Sequence, residues 1–588
     1  MTSDAEPVDP PRPLLLRGGG IRATADRVEE AICIDQGRVR AVGSLPDVRR
    51  AAPGDTLEVD LAGATVTPGF IDCHPHLVHF ASLAAPLVDL AEAKDHADIV
   101  RRLAERAARE PEGEWVMATP VGTPHYFIRR SFRDLAEGRL PDRRILDRAS
   151  DRHPIFIQAW APVTPNVCAF NSVALAALGI DESSPDEIDD VTIHKDGAGR
   201  PTGLLSGAVN NYYNRTGFMF SLFRKMPPLI QPEAAFPAVV EAMGAFNALG
   251  VTTVYEAHSM GFSEIDLYRA LRDMGLLRVR ALVAPEAEVC GVPWSDPLDD
   301  AAFDARMRRA LDGVDTSGDL LRQQGITIQL GGPCWPGLML TDAPYTGPDG
   351  RPTTGHDFIG PEKARRLVAF CAEHDLRLNV VAVSALEHER WLALFERQPR
   401  SPEAAPWMLQ HAFFMSEDHC RRYAAQQVDV TTSMSFTAGK GDVFAARIGE
   451  DCLADLIPLG RMLEAGLRVG CGSDWGPKNV FEHIALAMTH RFDGSGRSNR
   501  GPAQRVTRAQ AYDMWTGAAA DVLGWKGIGR LSPGHPADLL VVDRDPVDCA
   551  LDDLPDAVVH GTLLGGRVVH DDGFLAERLG AGGSRRGA

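Results

Sequence analysis

The 588-residue sequence lacks the marks of a disulfide-stapled, zinc-thiolate or membrane-spanning protein. Its ten cysteines include no CxxC pair, which argues against a disulfide framework and a thiolate zinc cluster. No apolar run reaches the length of a membrane span. The N-terminus MTSDAEPVDPPRP has acids and prolines where a secretory signal needs a basic and then an apolar segment. We therefore expect a cytoplasmic protein with no membrane partner.

The chain also has too few basic residues for a polyanionic partner. Lysine and arginine total 61 against 80 aspartates and glutamates, which gives a formal net charge of -19. Such a surface repels a phosphate backbone, so a nucleic-acid partner is not expected. With 44% hydrophobic and 24% charged residues, the composition is that of an ordinary soluble enzyme. The expected partner is a small-molecule substrate, with a homodimer left open.

Both ends of the chain consist of short β-rich runs broken by glycine and by turns. The N-terminal runs are LLLRGGGIRA, EEAICIDQGRVRAVGSL and DTLEVDLAGATVTPGF, and the C-terminal runs are ADLLVVDRDPVD and AVVHGTLLGGRVVHDDG. These patterns predict one small β-sheet domain assembled from both ends of the chain, residues 13–68 and 530–575. Residues 1–12 and 576–588 are expected to be disordered tails.

Between the two ends, β-rich runs alternate with helix-like stretches, which is typical of parallel βα units. The eight runs are GFIDCH, VTTVYEA, VRALVAP, ITIQLGG, RLNVVAV, WMLQHAFF, DVTTSMSF and RVGCGSD. They predict an α/β fold with a (β/α)8 barrel over residues 69–529. Two further runs, EWVMATPVG and HPIFIQAWAP, predict an inserted subdomain at about 81–240, after the first barrel strand.

Histidines and an aspartate end several of these runs, where a barrel of this kind places its reacting groups. His74 and His76 follow the first run, and two residues apart on a strand they would share one face. His411 closes WMLQHAFF, and Asp474 closes RVGCGSD. Neutral imidazoles with one carboxylate and an open position form a catalytic zinc arrangement. The HxH pair alone also fits two polar or helix-capping histidines.

The motifs TPGFIDCHPH, LQHA, GSDWGP and LSPGHPADLLVVDRDP resemble the amidohydrolase superfamily. Within it, NSVALAALGI, GVTTVYEA and the spacing up to APY are similar to the branch that includes N-substituted formamide deformylases, amidohydrolase family 3. The resemblance covers about residues 13–575. It implies a barrel joined to a composite β-sandwich, and metal-assisted hydrolysis of a C–N bond.

The sequence departs from that pattern at the expected second metal site. Thr327 stands at the position of a lysine that is carboxylated to bridge two metals, and Gly331 at that of an aspartate. Val381 replaces a histidine ligand at the end of the fifth strand, and Asn166 replaces a histidine in the insertion. A two-metal mechanism is therefore not expected.

One divalent ion, zinc rather than manganese or iron, is the simplest alternative to a two-metal centre. Its expected ligands are His74, His76 and Asp474, with His411 as a fourth ligand or as a donor beside the ion. A further set could provide a ligand or a substrate contact, although pocket lining is the simpler role for each: His258, Glu256, Gln329, Asn379, Trp335 and His125. Aromatic residues also suggest an apolar or aromatic substrate: Tyr126, Phe127, Trp160, Tyr212, Tyr213, Phe218 and Trp335.

The hydrolytic hypothesis gives catalytic roles to two residues. The resemblance implies that Asp474 takes a proton from water and passes it to the leaving nitrogen. His411 could polarise the carbonyl or stabilise the oxyanion. Two alternatives stay open. One is a non-hydrolytic enzyme on the same scaffold, such as a decarboxylase, a lyase or a rearrangement enzyme, and the other is a non-catalytic binding protein.

Overall fold

The structure is a computed structural model that describes residues 12–122, 130–159, 166–211, 213–214, 216–289, 297–401 and 403–584. Residues 1–11 and 585–588 of the two expected tails lie outside the described residues. The first elements of the chain are β1 Leu14–Thr24, β2 Arg27–Asp35, β3 Arg38–Gly43, α1 Leu45–Ala51, β4 Leu57–Asp60, β5 Thr65–Pro68, β6 Phe70–Asp72 and α2 Leu77–Ala84.

The next segment, between β6 and the following central strand, forms a six-stranded sheet with its own buried core. This segment contains both runs that predicted an insertion. Its elements are α3 His96–Ala107, β7 Val116–Ala118, α4 Arg143–Leu146, β8 Ile155–Ile157, β9 Val167–Phe170, α5 Ser172–Leu178, β10 Glu187–Ile188, β11 Val191–Lys195, β12 Pro201–Gly207 and α6 Gly217–Phe223. The strand order of the sheet is β10-β11-β12-β9-β8-β7.

The central segment alternates strands and helices, as the sequence predicts, and each of the eight runs contains a strand. Three short strands of this segment, at residues 321–323, 345–346 and 352–353, were not predicted. The elements are α7 Pro232–Ala248, β13 Val251–Glu256, α8 Phe262–Asp273, β14 Arg280–Val283, α9 Asp300–Asp312, β15 Leu321–Gln323, β16 Ile326–Gln329, β17 Tyr345–Thr346, β18 Pro352–Thr353, α10 Gly360–Glu373, β19 Leu378–Ala382, α11 Ala385–Phe395, β20 Trp407–His411, α12 Glu417–Ala425, β21 Val428–Thr432, α13 Ser435–Ile448, α14 Leu459–Glu464, β22 Val469–Cys471, α15 Val480–Thr489, α16 Arg508–Asp513 and α17 Gly517–Leu523.

The central strands form two parallel sheets, in the orders β15-β14-β13-β6 and β16-β19-β20-β21-β22. Their strands are buried along their length, as expected for strands covered on both faces. Backbone hydrogen bonds join the two sheets at both edges, from Cys73 N to Cys471 O (3.0 Å) and from Ala287 N to Thr327 O (2.8 Å). The chain is therefore α/β with a parallel core, whereas full closure into a (β/α)8 barrel stays a prediction.

The last elements are β23 Leu539–Val542, β24 Val559–Leu564, β25 Arg567–Asp571 and α18 Phe574–Ser584. Strands from both ends of the chain share one eight-stranded sheet, in the order β25-β24-β23-β5-β1-β2-β3, with β4 beside β1. The central contact is the antiparallel pairing of β5 with β23. The β-sandwich arrangement and the boundaries at 13–68 and 530–575 stay predictions.

The expectation of a disordered tail from residue 576 is wrong for its first part, because residues 576–584 belong to α18. The Asp571 carboxylate caps this helix by accepting hydrogen bonds from the backbone N–H groups of Leu575 and Ala576, each at 2.9 Å. Leu575 is buried in the core of the terminal sheet. A cap and one buried apolar anchor thus hold a glycine-containing segment in helical form.

No helix among the described residues has the length and apolar character needed to cross a membrane.

Candidate metal centre

The histidine pair lies in the turn that connects β6 to α2. Since β6 ends at Asp72, the expectation that His74 and His76 share one face of a strand is wrong. His76 is instead the N-cap of α2 with a φ of 50°. The turn still brings the two rings together, with centroids 4.9 Å apart. Both side chains are buried.

His411 and Asp474 meet this pair from two other strand ends. His411 is the last residue of β20, as predicted. Asp474 lies in the turn after β22, which ends at Cys471. Asp474 Oδ2 is 3.5 Å from His74 Nε2 and 3.6 Å from His411 Nε2. Its other oxygen is 3.7 Å from His76 Nε2. The four residues therefore form one cluster.

Several polar atoms of the cluster have no hydrogen-bond partner within the described part of the chain: His74 Nε2, His411 Nε2 and Asp474 Oδ2. Buried polar atoms are normally paired, and leaving one unpaired costs about 1–3 kcal/mol. Zinc–nitrogen distances of about 2.0–2.1 Å place neighbouring tetrahedral ligand atoms roughly 3.3 Å apart. The observed separations are close to that spacing, so the residues present fit a divalent ion.

The backbone at this centre is strained. His76, His411 and Asp474 have φ values of 50°, 68° and 52°, in the left-handed region that disfavours residues with a Cβ atom. Each such residue costs of the order of 1–3 kcal/mol and persists where the surrounding structure imposes it. Three of the four converging side chains thus lie on strained backbone, which is typical of functional sites.

Burial dominates the electrostatics of the cluster. It lowers the pKa values of His74, His76 and His411 well below that of a free imidazole, so the rings are neutral and offer lone pairs. Burial also raises the pKa of Asp474 to about 6. Neutral imidazoles beside one carboxylate are the donor set that zinc prefers.

A network of polar contacts holds the two turns against each other. Asp72 Oδ1 accepts hydrogen bonds from the backbone N–H groups of His74 and Ser473, each at 3.0 Å. The backbone N–H of Asp474 donates to His74 O at 2.6 Å. A Cβ atom at Gly472 would collide with the backbone of His74, so glycine permits this close approach. Asp474 therefore has a fixed position relative to the histidine pair.

His258 also joins the cluster. It follows the end of β13, and its ring centroid is 5.4 Å from His74, 5.5 Å from His76 and 5.4 Å from His411. The ligand atoms of His74, His76 and His258 all lie within 4.8 Å of one another. Tyr213 donates a long hydrogen bond of 3.4 Å to His258 Nε2.

A cavity of about 540 Å³, counting space open to solvent, lies against the cluster. Its polar lining includes His76, His258, His411, Asp474 and Gln329. The rest of the wall is mostly apolar and aromatic: Tyr213, Trp335, Met339, Val381, Val383, Phe413, Phe436, Phe444 and Trp475. Trp475 stacks on His76 with ring centroids 4.9 Å apart. An apolar wall facing a cluster of polar groups is the usual form of a small-molecule site.

The remaining residues predicted for the site divide into three groups. Gln329 and Trp335 line the cavity, and Gln329 Nε2 is buried without a partner among the described residues. Glu256 and Asn379 do not line it. His125 lies outside the described residues, as do four of the aromatic residues predicted to line a pocket: Tyr126, Phe127, Trp160 and Tyr212.

Glu256 and Asn379 have structural partners instead. Glu256 Oε1 accepts from Val78 N and from the Tyr268 hydroxyl, each at 3.1 Å. Asn379 accepts from the Tyr255 hydroxyl at 2.8 Å and donates to Thr327 Oγ1 at 3.1 Å. Their polar groups are therefore engaged in packing β13, α2, β16 and β19 together.

The structure also explains why glycine stands at position 331, where the family pattern has an aspartate. The carboxylate of Glu387, at the start of α11, occupies the space where a Cβ atom of residue 331 would lie. Glu387 is fully buried and accepts a hydrogen bond from Val383 N at 2.8 Å. An aspartate at position 331 could not be accommodated without moving that carboxylate.

Sequence reasoning missed Glu286, which contacts His258. Glu286 lies just beyond β14 in the stretch VRALVAPEAE, so the same attention to strand ends that identified His411 could have identified it. Glu286 lies three residues past the end of β14, whereas His411 is the last residue of β20, and Glu286 belongs to no motif of its own. Its contact with His258 becomes visible only in three dimensions.

Most of the chain is similar in sequence to proteins of one family. The sequence model of the amidohydrolase family matches residues 57–570. The chain is 27% identical over 572 residues to an N-substituted formamide deformylase of Arthrobacter pascens, covering 94% of this chain and 98% of that protein. It is 22% identical over 560 residues to a putative amidohydrolase of Bacillus subtilis strain 168, covering 92% of this chain and 96% of that protein.

Two solved structures share the fold. One is an uncharacterized metal-dependent hydrolase from Pyrococcus horikoshii OT3, with a TM-score of 0.69 and 18% identity over 92% of this chain and 99% of that chain. The other is an uncharacterized metal-dependent hydrolase from Pyrococcus furiosus, with a TM-score of 0.67 and 20% identity over 91% and 100%.

Proposed function

Because this chain belongs to the amidohydrolase family, we propose that it hydrolyses an amide, formamide or cyclic amide of a small apolar or aromatic molecule. The resemblance predicted from its motifs is confirmed, and the chain is an amidohydrolase-type hydrolase of C–N bonds other than peptide bonds. The observation that carries the proposal is the convergence of unpaired imidazole and carboxylate atoms beside an aromatic cavity.

The centre is proposed to hold one divalent ion, zinc first, with manganese or iron as alternatives, through His74, His76 and Asp474, with His411 as a further ligand or as a donor beside the ion. The family and the names of the two Pyrococcus neighbours support a metal-dependent hydrolase. When bound, such an ion acts as a Lewis acid and lowers the pKa of water toward neutrality. The replacement of the bridging lysine by Thr327 supports a single ion.

Asp474 is proposed to move the proton. Trp475 N donates to Asp474 Oδ1 at 2.6 Å, which fixes the carboxylate and leaves Oδ2 turned toward His74 and His411. Oδ2 would accept a proton from the attacking water and return it to the leaving nitrogen.

Gln329 is proposed to bind the carbonyl oxygen. Its carboxamide Nε2 is buried, faces the same cavity and has no partner among the described residues. A donor already in place gains a partner when negative charge develops on that oxygen, which stabilises the transition state. His411 Nε2 lies 3.6 Å from Asp474 Oδ2, so we place His411 at the ion or beside it and leave carbonyl polarisation to Gln329.

The aromatic wall of the cavity supports the proposed substrate class. Trp335, Phe436 and Phe444 give the cavity large apolar surfaces and few polar groups away from the cluster. Burying an apolar or aromatic substituent there releases water from both surfaces. An N-substituted formamide with an aryl or arylalkyl group fits this chemistry, and the formamide deformylase of Arthrobacter pascens is consistent with it.

The proposal is tested with a panel of N-benzyl and N-alkyl formamides, acetamides and cyclic amides, and mass spectrometry follows the released amine or, for a cyclic amide, the ring-opened amino acid. The wild-type protein should hydrolyse at least one aryl-substituted amide, and Asp474→Asn should lose that activity when rates are normalised to bound metal. Metal-loaded protein that hydrolyses nothing in the panel would contradict the proposed substrate class. Activity that survives in Asp474→Asn would contradict the proton-transfer role.

A further inference from the structure

His258 is the one histidine of the cluster that the family resemblance does not predict as a ligand. It comes from the second central strand, β13, whereas the ligands expected from the resemblance follow other strands. Its ring nevertheless lies at 5.4–5.5 Å, between centroids, from His74, His76 and His411. Its ligand atom lies within 4.8 Å of those of His74 and His76, so the three buried imidazoles could hold one ion.

Glu286 fixes the orientation of that ring. His258 Nδ1 donates to Glu286 Oε1 at 2.7 Å, and the backbone N–H of Ser259 donates to the same oxygen at 2.8 Å. Glu286 has no exposed surface. Its carboxyl group is therefore held by hydrogen bonds from the imidazole and from the backbone, out of contact with solvent.

The backbone around Glu286 is itself held on both sides. Its own N–H donates to Met260 O at 2.8 Å, and the next N–H, of Ala287, donates to Thr327 O at 2.8 Å. Glu286 therefore bridges the loop after β13 and the strand β16 that joins the second central sheet. Its carboxylate presents a fixed acceptor to the imidazole.

The contact determines which ring nitrogen of His258 carries hydrogen. With Nδ1–H donated to Glu286, Nε2 keeps a lone pair, and this atom is the one turned toward the cavity and Tyr213. A carboxylate on the outer nitrogen is the usual support for a metal-bound histidine, because it fixes the tautomer and makes the inner nitrogen more basic. The hydrogen bond from Tyr213 at 3.4 Å is long and weak, and a metal would compete for the same lone pair.

We propose that His258 is a ligand of the ion bound at His74 and His76, and that Glu286 is its positioning residue. A nitrogen from the second strand then compensates for ligands that Thr327 and Val381 cannot provide. The inference rests on the proposed function only in requiring a divalent ion at this centre. It does not depend on which bond is hydrolysed.

The test measures metal affinity, which does not require turnover. Apoprotein prepared by dialysis against a chelator is titrated with zinc in competition with a chromophoric chelator, for wild type, His258→Ala and Glu286→Gln. Loss of the supporting carboxylate should raise the zinc Kd about 10- to 100-fold, and His258→Ala should raise it at least as much. The visible spectrum of the cobalt-substituted protein should also change in His258→Ala, because the ion loses a nitrogen ligand.

Glu288→Gln is the matched control. Glu288 lies two residues along the same loop and is also buried, yet it pairs with Lys363 Nζ at 2.7 Å and with Leu298 N at 3.1 Å. Its substitution should leave the zinc Kd unchanged. If Glu286→Gln does not fold, His258→Ala carries the test through both its Kd and its cobalt spectrum.

Two results separate this inference from the proposed function. A zinc Kd that is unchanged in both His258→Ala and Glu286→Gln would overturn the inference and leave the hydrolytic proposal standing. A Kd that rises as expected in a protein that hydrolyses no amide would support the inference and contradict the proposed function. Wild-type protein that binds no divalent ion would overturn both.

Discussion

The Arg280 guanidinium donates two hydrogen bonds to the Asp538 carboxylate, at 2.6 and 3.0 Å, and both side chains are buried. Arg280 belongs to β14 of the central sheet, whereas Asp538 immediately precedes β23 of the terminal sheet. Asp538 Oδ1 also accepts from Gly565 N at 2.7 Å. This ion pair therefore connects the two sheets through a bidentate contact.

Breaking this pair should destabilise the protein strongly. Asp538→Asn leaves the buried Arg280 guanidinium with only the exposed Asp319 carboxylate, 3.3 Å away, as a counter-charge, and breaking a buried pair costs about 3–5 kcal/mol. Urea unfolding followed by circular dichroism measures the change. Arg50→Ala, which breaks a solvent-exposed pair with Asp47, is the control and should give no resolvable change. Equal stability of Asp538→Asn and wild type would show that the contact does not hold the sheets together.

Gln329→Met should impair catalysis without impairing metal binding. Methionine matches the length of glutamine but has no N–H donor, and removing one donor to a developing oxyanion costs roughly 100-fold in kcat. KM and the zinc Kd should stay close to those of wild type. Gln323→Met, a buried substitution on β15 outside the cavity lining, should keep full activity. A change confined to KM would instead indicate that Gln329 binds substrate without stabilising the transition state.

Gly472→Ala should loosen the metal centre. The added Cβ would collide with the backbone of His74, so the turn carrying Asp474 must move away from the histidine pair. We expect a higher zinc Kd and lower activity, measured by chelator competition and by turnover. Gly244→Ala, in α7 with open space around it, is the control and should leave both unchanged. Normal zinc affinity in Gly472→Ala would mean that the close approach is dispensable.

Glu387 should make stability depend on pH. Burial raises the pKa of this carboxyl from 4.5 to about 8. The folded state therefore holds a proton that the unfolded state loses first, so stability is complete below pH 4.5 and declines as pH rises toward 8. Glu387→Gln imitates the protonated form and should remove this decline, which amounts to roughly one to several kcal/mol.

Urea unfolding of wild type and Glu387→Gln at pH 6 and pH 9 checks that expectation. The difference in unfolding free energy between the two pH values should be smaller in the variant. A variant that loses as much stability as wild type over this interval would show that Glu387 is not the titrating group.

The sequence predicted the central strands well because their apolar runs are dense and are followed by polar strand ends. His411 and Asp474 could be assigned on that rule alone, since parallel strands bring their C-terminal ends to one edge. The rule also located His74 and His76, but the expectation that they share one strand face failed, because β6 ends at Asp72 and a turn brings their rings together. Local periodicity predicts a strand but not where its last hydrogen bond falls.

Contacts between distant segments were beyond the sequence. Nothing in the stretch APEAE shows that Glu286 meets His258, since that contact depends on how the loops after β13 and β14 fold over each other. Glu256 and His258 are two residues apart, which is the spacing of neighbours on one face of a strand. Only the structure shows that Glu256 packs against Val78 and Tyr268 whereas His258 turns toward the cavity.

The metal content of the purified protein tests the central claim most directly. Protein prepared without chelator is analysed by elemental mass spectrometry, alongside a His74→Ala, His76→Ala double variant and a surface His560→Ala, His570→Ala control. We expect about one divalent ion per chain in wild type and in the control, and loss of that ion in the double variant. Two ions per chain would contradict the single-metal assignment, and a wild-type chain with no bound ion would contradict the hydrolytic mechanism.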